Sequence, residues 1–327
     1  MAETRGHLKR KLGRPTWIAV VCVLAALHLL PWVFPSILHI MIMIFLFSLM
    51  GQGWNVLGGY GGQYSFGHAA FFGTAAYLTG LATKHAGLTP ELGILAGTLG
   101  AAVLGAAIGA LAIRRQGIYL AMITLALAQM VYFLFLQLPF TGAEDGMQQI
   151  PRGRLLGLVD LRDDRAMYYL VLALTLGGLA LILRIVHSPF GHVVMAIRDH
   201  EPRARALGYP VERYKLVLFV LSAALSGLAG SLKALVFQVA SLSDVYWHLS
   251  GDVVLMALLG GMQSVLGPAI GAAIVVGLQY YLDAFGGWVT LVTGIIFMIC
   301  VTTFRNGIAG TLTARIADDT RTPQRYD

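Results

Sequence analysis

The chain has 327 residues, of which 57% are hydrophobic and only 12% charged, about half the charged share of a soluble domain. With a mean hydropathy of +0.73 it has too little polar surface for a water-soluble globule and too much apolar sequence for a disordered chain. Its net charge of +7 is gathered in clusters between long apolar runs, which argues against a nucleic-acid face and for the topology signal of a membrane protein.

A helix crossing about 30 Å of hydrocarbon needs about 20 apolar residues. After a basic tail at 1–15, spans are expected near Trp17–Phe34, Ile37–Trp54, Gly67–Thr83, Leu92–Ile113, Gly117–Leu138, Ala166–Val186, Tyr214–Leu235 and Phe285–Phe304. No small-residue cleavage site follows the basic start, so the first span reads as a retained signal anchor. With the N-terminus in the cytoplasm, the inner segments hold Arg5 to Arg14, Arg114 and Arg115, the positions from Arg184 to Lys215, and Arg305 to Arg325. That is 17 of the 23 Lys and Arg, the bias expected of cytoplasmic segments. Both ends are then cytoplasmic, with a tail at 311–327 and a membrane domain at 16–310.

This parity leaves Val253–Leu282 unable to cross once. It is expected to be re-entrant, bent at Gly260-Gly261 or Gly267-Pro268, since irregular backbone at membrane depth survives only where protein or water satisfies it. The predicted fold is therefore an all-α polytopic membrane protein. It has about eight transmembrane helices plus a re-entrant segment. Asp244, Asp252 and Asp283 are placed at helix ends. Cys22 and Cys300 fall in apolar runs and read as small buried hydrophobes.

Two glycine-rich passages match at an offset of 200 residues: Gly61–Ala69 (GGQYSFGHA) and Gly261–Ala269 (GMQSVLGPA). Paired glycine-interrupted segments in two halves of a chain point to a midplane pathway; tight helix packing is the alternative use of the same glycines. The pathway candidates are Gln63, Ser65, Gly67, His68, Gln129, Gly261 and Gly267. Ser65 is expected to cap a helix starting near Phe66, leaving amides that favour a carboxylate. His68 lies one turn inside, with solute contact or a structural hydrogen bond both open to it. Gln52, Asn55, Gln63 and Gln129 suit interhelical hydrogen bonds.

The longest basic loop, about 187–213, suits two short helices, Phe190–Arg198 and one opened by Glu201-Pro202 and closed by Gly208. Such a pair fits a groove on a soluble partner or a surface of anionic lipid. An outer loop spans about 139–165. No G-x-x-x-x-G-K-[ST] occurs, so the chain carries no phosphate-cradling loop. The spans hold no metal-ligand cluster and no chain of carboxylates for proton relay.

The run Gly58–Thr79 (GGYGGQYSFGHAAFFGTAAYLT) resembles permeases of branched-chain amino acid ABC importers. Gly117–Gln129, Thr141–Gly146, Ser188–Gly208, Tyr214–Gly230 and Leu259–Ala272 resemble them in the same order, from about Ile37 to Gly310. The resemblance implies a permease subunit of the bacterial inner membrane that is not itself an enzyme and binds no cofactor, ATP being bound by partners. The implied partners are a second homologous permease, two cytoplasmic ATP-binding subunits, a periplasmic solute-binding protein and the lipid bilayer, with no nucleic acid. It also implies an ATPase-coupling loop containing Gly191, Arg198, Glu201, Ala204, Ala206 and Gly208, although Pro202 and Arg203 stand where the superfamily motif has two alanines. Branched-chain amino acids are the first expected solutes, urea and short amides the next; an ion-coupled carrier of small polar solutes is the alternative of another class.

Overall fold

The computed structural model describes residues 27–155 and 157–282 and the single positions 292, 294, 295, 298 and 307. The expected tails at 1–15 and 311–327, most of Trp17–Phe34, nearly all of Phe285–Phe304 and Asp283 lie outside the described residues. What is described is helical, joined by short turns and two small strand pairs.

Among the described residues, five helices are long and apolar enough to cross a membrane. The first, α2 (Leu38–Asn55), runs on through a π-helical turn at Val56–Tyr60; a short helix at 27–33, α1, precedes it. The others are α4 (Pro90–Ala112), α5 (Ile118–Gln137), α6 (Asp164–Val186) and α9 (Val211–Phe237). The expected span Gly67–Thr83 falls on α3 (His68–Gly80), a shorter helix with a π-turn at Leu81–His85. Its length suits its place, because all of α3 except Thr74 and Leu78 is buried. It is the centre of the bundle, packed against α4 and α9.

The loop between α6 and α9 folds into α7 (Pro189–Asp199) and α8 (Glu201–Ala206). Ser188 caps α7, its Oγ accepting from Gly191 N at 3.2 Å, and Pro189 follows at the first turn, where its missing N–H is harmless. Gly208, at φ +84°, turns the chain out of α8. Val253–Leu282 is two helices, α10 (Trp247–Gly260) and α11 (Gly267–Leu282), broken at 261–266. α11 returns antiparallel beside α10 so closely that a Cβ on Gly271 would overlap the Met256 carbonyl, and one on Gly260 the Gly267 carbonyl. Asp252 is the sixth residue of α10. It does not lie at a helix end, as expected from the sequence.

Small residues set the α4–α9 interface. Gly97, Gly105 and Gly109 recur on one face of α4 and meet Ser231, Ala223 and Phe219 of the antiparallel α9. Ala101 fills the same face opposite Gly227. Lipid offers no hydrophobic drive for helix pairing, so close backbone approach through small side chains supplies the attraction. On its other side Gly230 lies against the Phe72 carbonyl of α3.

The end with Lys84 and the 139–165 segment is tied by backbone pairing. Met147–Gln148 (β1) pairs antiparallel with Val239–Ala240 (β4), and Arg154–Leu155 (β2) with Val159–Asp160 (β3). Arg152 bridges Asp164 (2.7 Å) and the Val236 carbonyl (2.7 Å), fastening this segment to the end of α9.

Gly230→Ala places a methyl group against a backbone carbonyl that cannot rotate away. We expect it to destabilise the bundle by about 1–3 kcal/mol, read as a lower thermal transition of the detergent-solubilised protein. Gly177→Ala, where nothing lies within 4 Å, should leave the transition unchanged.

Candidate functional site

Two interruptions of helical backbone meet at one place. After the π-turn of α2 the chain runs non-helically from Gly61 to Gly67, and after α10 from Gly261 to Leu266. Asn55 joins them with both ends of its amide: Nδ2 donates to the Ser264 carbonyl (2.9 Å) and Oδ1 accepts from Gln263 N (3.1 Å). Tyr60 OH donates to the Gln263 carbonyl at 2.6 Å. Gln263 holds a left-handed φ of +65° and Gly261 one of +114°, conformations that cost a non-glycine residue about 1–2 kcal/mol. The second break is thus tied to the end of α2 and its π-turn, with Pro268 touching the face of α2 at Gly51.

The first break is lined by hydroxyls and an indole. Trp54 Nε1 donates to the Ser65 carbonyl at 2.9 Å. The helix begins at His68 with Gly67 as its cap residue, two positions later than expected, and Ser65 Oγ accepts from Gly67 N (3.1 Å). Phe66 N donates to Thr124 Oγ1 (3.1 Å) and Ala69 N to Ser250 Oγ (2.8 Å). The amides anticipated as a carboxylate site therefore already have hydroxyl partners.

His68 is fully buried. Its Nε2 lies 2.7 Å from Ser222 Oγ, and Ser222 donates to the Gly53 carbonyl at 2.7 Å. With the Ser222 hydrogen committed to Gly53, the ring donates from Nε2 to Ser222 Oγ and completes a chain from α3 through α9 to α2. Ser222 is eleven residues from the start of α9, roughly 16 Å at 1.5 Å per residue, so the group lies near the middle of the bundle. Gln129 is not part of it: five residues beyond Thr124 on α5, it projects from a different face of the helix. Gln63 is buried and turns the other way, into a cleft.

That cleft, about 440 Å³, separates the first break from the α7–α8 loop and the turn carrying Arg115 and Gln116. Arg198 crosses it. Its Nη1 donates to the Gly59 carbonyl (3.1 Å), its stem passes against Gly62 (φ +67°), and its Nη2 bonds Asp199 at 2.8 Å. Glu201 anchors the loop a second time, pairing with the nearly buried Lys215 at the foot of α9 (2.5 Å), with Arg205 (2.8 Å) and with Gln116. Burial pushes the Glu201 carboxyl up, and the hydrogen bonds from Lys215 and Arg205 outweigh this, holding it below the ordinary glutamate value. Gly191 packs against the carbonyls of Ile185 and Val186 and Ala204 is buried, whereas Ala206 and Gly208 stay exposed.

Two residues that sequence reasoning set aside also stand out. His248 and Asp252 share one face of α10, a turn apart, opposite the face on which Ser250 bonds α3. Their signal was the i, i+4 spacing, hidden because the start of the helix was placed after them.

Such an arrangement defines a polytopic, all-helical membrane protein whose broken helices meet centrally and are tied by side chains to a short-helix loop at one end. The chain belongs to the family described as branched-chain amino acid transport system / permease component, whose model matches residues 36–301. The high-affinity branched-chain amino acid transport system permease protein LivM of Escherichia coli (strain K12) is 29% identical over 272 residues, covering 76% of this chain and 64% of the relative. LivM of Salmonella typhimurium (strain LT2) is 28% identical over 275 residues, covering 77% and 65%. The chain thus spans just under two thirds of the length of these relatives. No solved structure matches it.

Asn55→Leu removes both amide bonds that join the breaks. With a net loss of about 1 kcal/mol per bond, hydrogen exchange of residues 261–266 should accelerate roughly tenfold or more while α4 and α9 keep their protection. The Glu201 contacts carry a pH dependence as well. Because its folded value is depressed, their contribution is complete above the ordinary glutamate range and is lost as pH falls through the lower folded value. Glu201→Gln should abolish this acid-side loss and leave Lys215 without its anion, costing about 1–3 kcal/mol, seen as tryptic cleavage at Arg203 and Arg205 at neutral pH.

Proposed function

We propose that this chain is the membrane-spanning permease subunit of an ABC importer of the bacterial inner membrane that brings branched-chain amino acids into the cytoplasm. The match of the family model over residues 36–301 carries this reading. The partners are a second homologous permease, two cytoplasmic ATP-binding subunits and a periplasmic solute-binding protein. The basic end with Arg114, Arg115 and the α7–α8 loop faces the cytoplasm, as do both termini, and the 139–165 segment faces the binding protein. Eight crossings then flank the re-entrant pair α10–α11, and the passages at Gly61 and Gly261 are the two members of a repeat.

The contacts support alternating access as the mechanism. An ATPase pushing on α7–α8 moves Arg198, and Arg198 holds the Gly59 carbonyl at the edge of the first break. Because Asn55 and Tyr60 tie that break to the second, both respond together. His68, Ser222 and the Gly53 carbonyl keep α2, α3 and α9 in register while this happens. Gln63, Ser65, Gly67, Gly261 and Gly267 are the pathway elements closest to the moving backbone.

Mild purification of the tagged chain from its native membrane should bring down a second polytopic permease and Walker-motif ATPases, identified by mass spectrometry. The reconstituted assembly should take up leucine only with ATP and binding protein. A lone chain transporting without ATP would favour an ion-coupled carrier instead. Gly208→Pro cannot adopt the φ of +84° found there and should abolish uptake with insertion intact; normal uptake in that variant would remove the coupling role from this loop.

A further inference from the structure

Ser250 fixes the depth of α10. Its Oγ bonds Ala69 N, beside the His68–Ser222 pair, near the middle of the bundle. Asp252 is two residues on and half-buried, and His248 is two residues back and exposed. Each is about 160° around the helix from Ser250, so both point away from α3. No ion pair or hydrogen bond engages the Asp252 carboxylate among the described residues; the neighbouring Asp244, by contrast, is taken up by Lys233 at 2.6 Å. A carboxylate halfway along the bundle on an outward face is incompatible with hydrocarbon. Such a face needs water or a protein partner.

The surroundings add a second, independent feature. Tyr246 stacks on His248 (5.9 Å between ring centroids, 18°), Trp247 lies 4.7 Å from the same ring, and Tyr132 of α5 reaches Tyr246 at 5.4 Å. Tyr246 and Trp247 remain 38% and 36% exposed, so part of each residue is left free of packing. A carboxylate one turn beyond His248, whose ring carries Tyr246 and Trp247 against it, suits a small molecule with a cationic head and an apolar body: the carboxylate pairs with the cation, and the rings a turn away add cation–π attraction and apolar contact.

We propose that Asp252, with the Tyr246–Trp247–His248 aromatic wall, is a solute contact of the translocation pathway that receives the ammonium group and aliphatic side chain of an α-amino acid. This rests on the permease reading and adds where, on this chain, the solute passes. It places the pathway along the α5–α10 face and leaves His68 inside the scaffold.

The test uses the complete transporter in proteoliposomes, with Cys22 and Cys300 replaced by Ala. Asp252→Cys should be labelled by a membrane-impermeant thiol reagent, and L-leucine delivered with binding protein and ATP should slow the labelling. Asp252→Asn should lower leucine uptake by about tenfold, the loss expected for one charge-assisted contact, while subunits still co-purify and ATPase stimulation by loaded binding protein persists; Asp252→Glu should recover part of the uptake. An unlabelled position 252, or full uptake by Asp252→Asn, overturns the inference. So does dissociation of the assembly in Asp252→Asn, which would make Asp252 a subunit contact. If the unmodified transporter moved no amino acid, the permease reading itself would fail, and labelling at 252 would still report separately whether this face meets water.

Discussion

Inside hydrocarbon an unpaired backbone amide or carbonyl has no water to turn to and costs several kcal/mol. The whole centre of this protein is organised around that constraint. Two stretches, 61–67 and 261–266, leave helical geometry, and polar side chains from α2, α5 and α10 meet them and the start of α3. Asn55 and Tyr60 serve the second break from the end of α2 and its π-turn. Trp54 and Thr124 serve the first from α2 and α5, and Ser250 of α10 serves the first turn of α3. These residues are polar for the backbone's sake before any question of solute arises. His68 belongs with them: buried and bonded to Ser222, it links three helices and has no open side.

The same constraint explains what could be read from the amino acids alone and what could not. Long apolar runs without charge had only one fate, so α2, α4, α5, α6 and α9 were legible nearly to the residue. The glycine passages were legible as interruptions, since neither a six-residue glycine spacing nor Gly267-Pro268 continues a helix comfortably. The amide partners were not legible. Nothing local in Thr124 or Ser250 reveals that a backbone N–H from 58 or 181 residues away will arrive at its hydroxyl. Ser65 was read as a cap because Ser before an apolar run usually is one; the glycine after it took that position instead. Asp252 was misplaced for a related reason. An acidic residue near a loop is normally a boundary marker, and here the helix starts five residues earlier, at Trp247, with an aromatic run that carries no capping signal.

The loop at the basic end shows how local rules combine with long-range contacts. Ser188, Pro189, Glu201-Pro202 and Gly208 specify two short helices from sequence chemistry alone. Where those helices dock depends on two cations and an anion. Arg198 passes glycine at position 62, where a Cβ would collide with its stem, and Glu201 finds Lys215 and Gln116 on two other segments. An arginine is suited to the first role because its planar guanidinium holds the Gly59 carbonyl and Asp199 at once, where a lysine offers a single point charge.

Where such a protein bends follows from the strengths of its joints. At α10–α11 glycine meets backbone, and at α4–α9 glycines meet side chains of the facing helix, in both cases with no slack: a methyl group would already collide, so a slide of similar size would collide too. The two breaks are held differently, by a few side-chain hydrogen bonds of about 1 kcal/mol net apiece, each able to re-form with a shifted partner or with water. A force delivered through Arg198 to the Gly59 carbonyl therefore meets a stiff pair on either side and a soft seam between them. The seam yields first. On the reading proposed for this chain, that is the mechanical reason for placing the helix breaks beside the loop that receives the push: rigid glycine-packed pairs carry displacement across the membrane without absorbing it, and the polar seam converts it into a change of access.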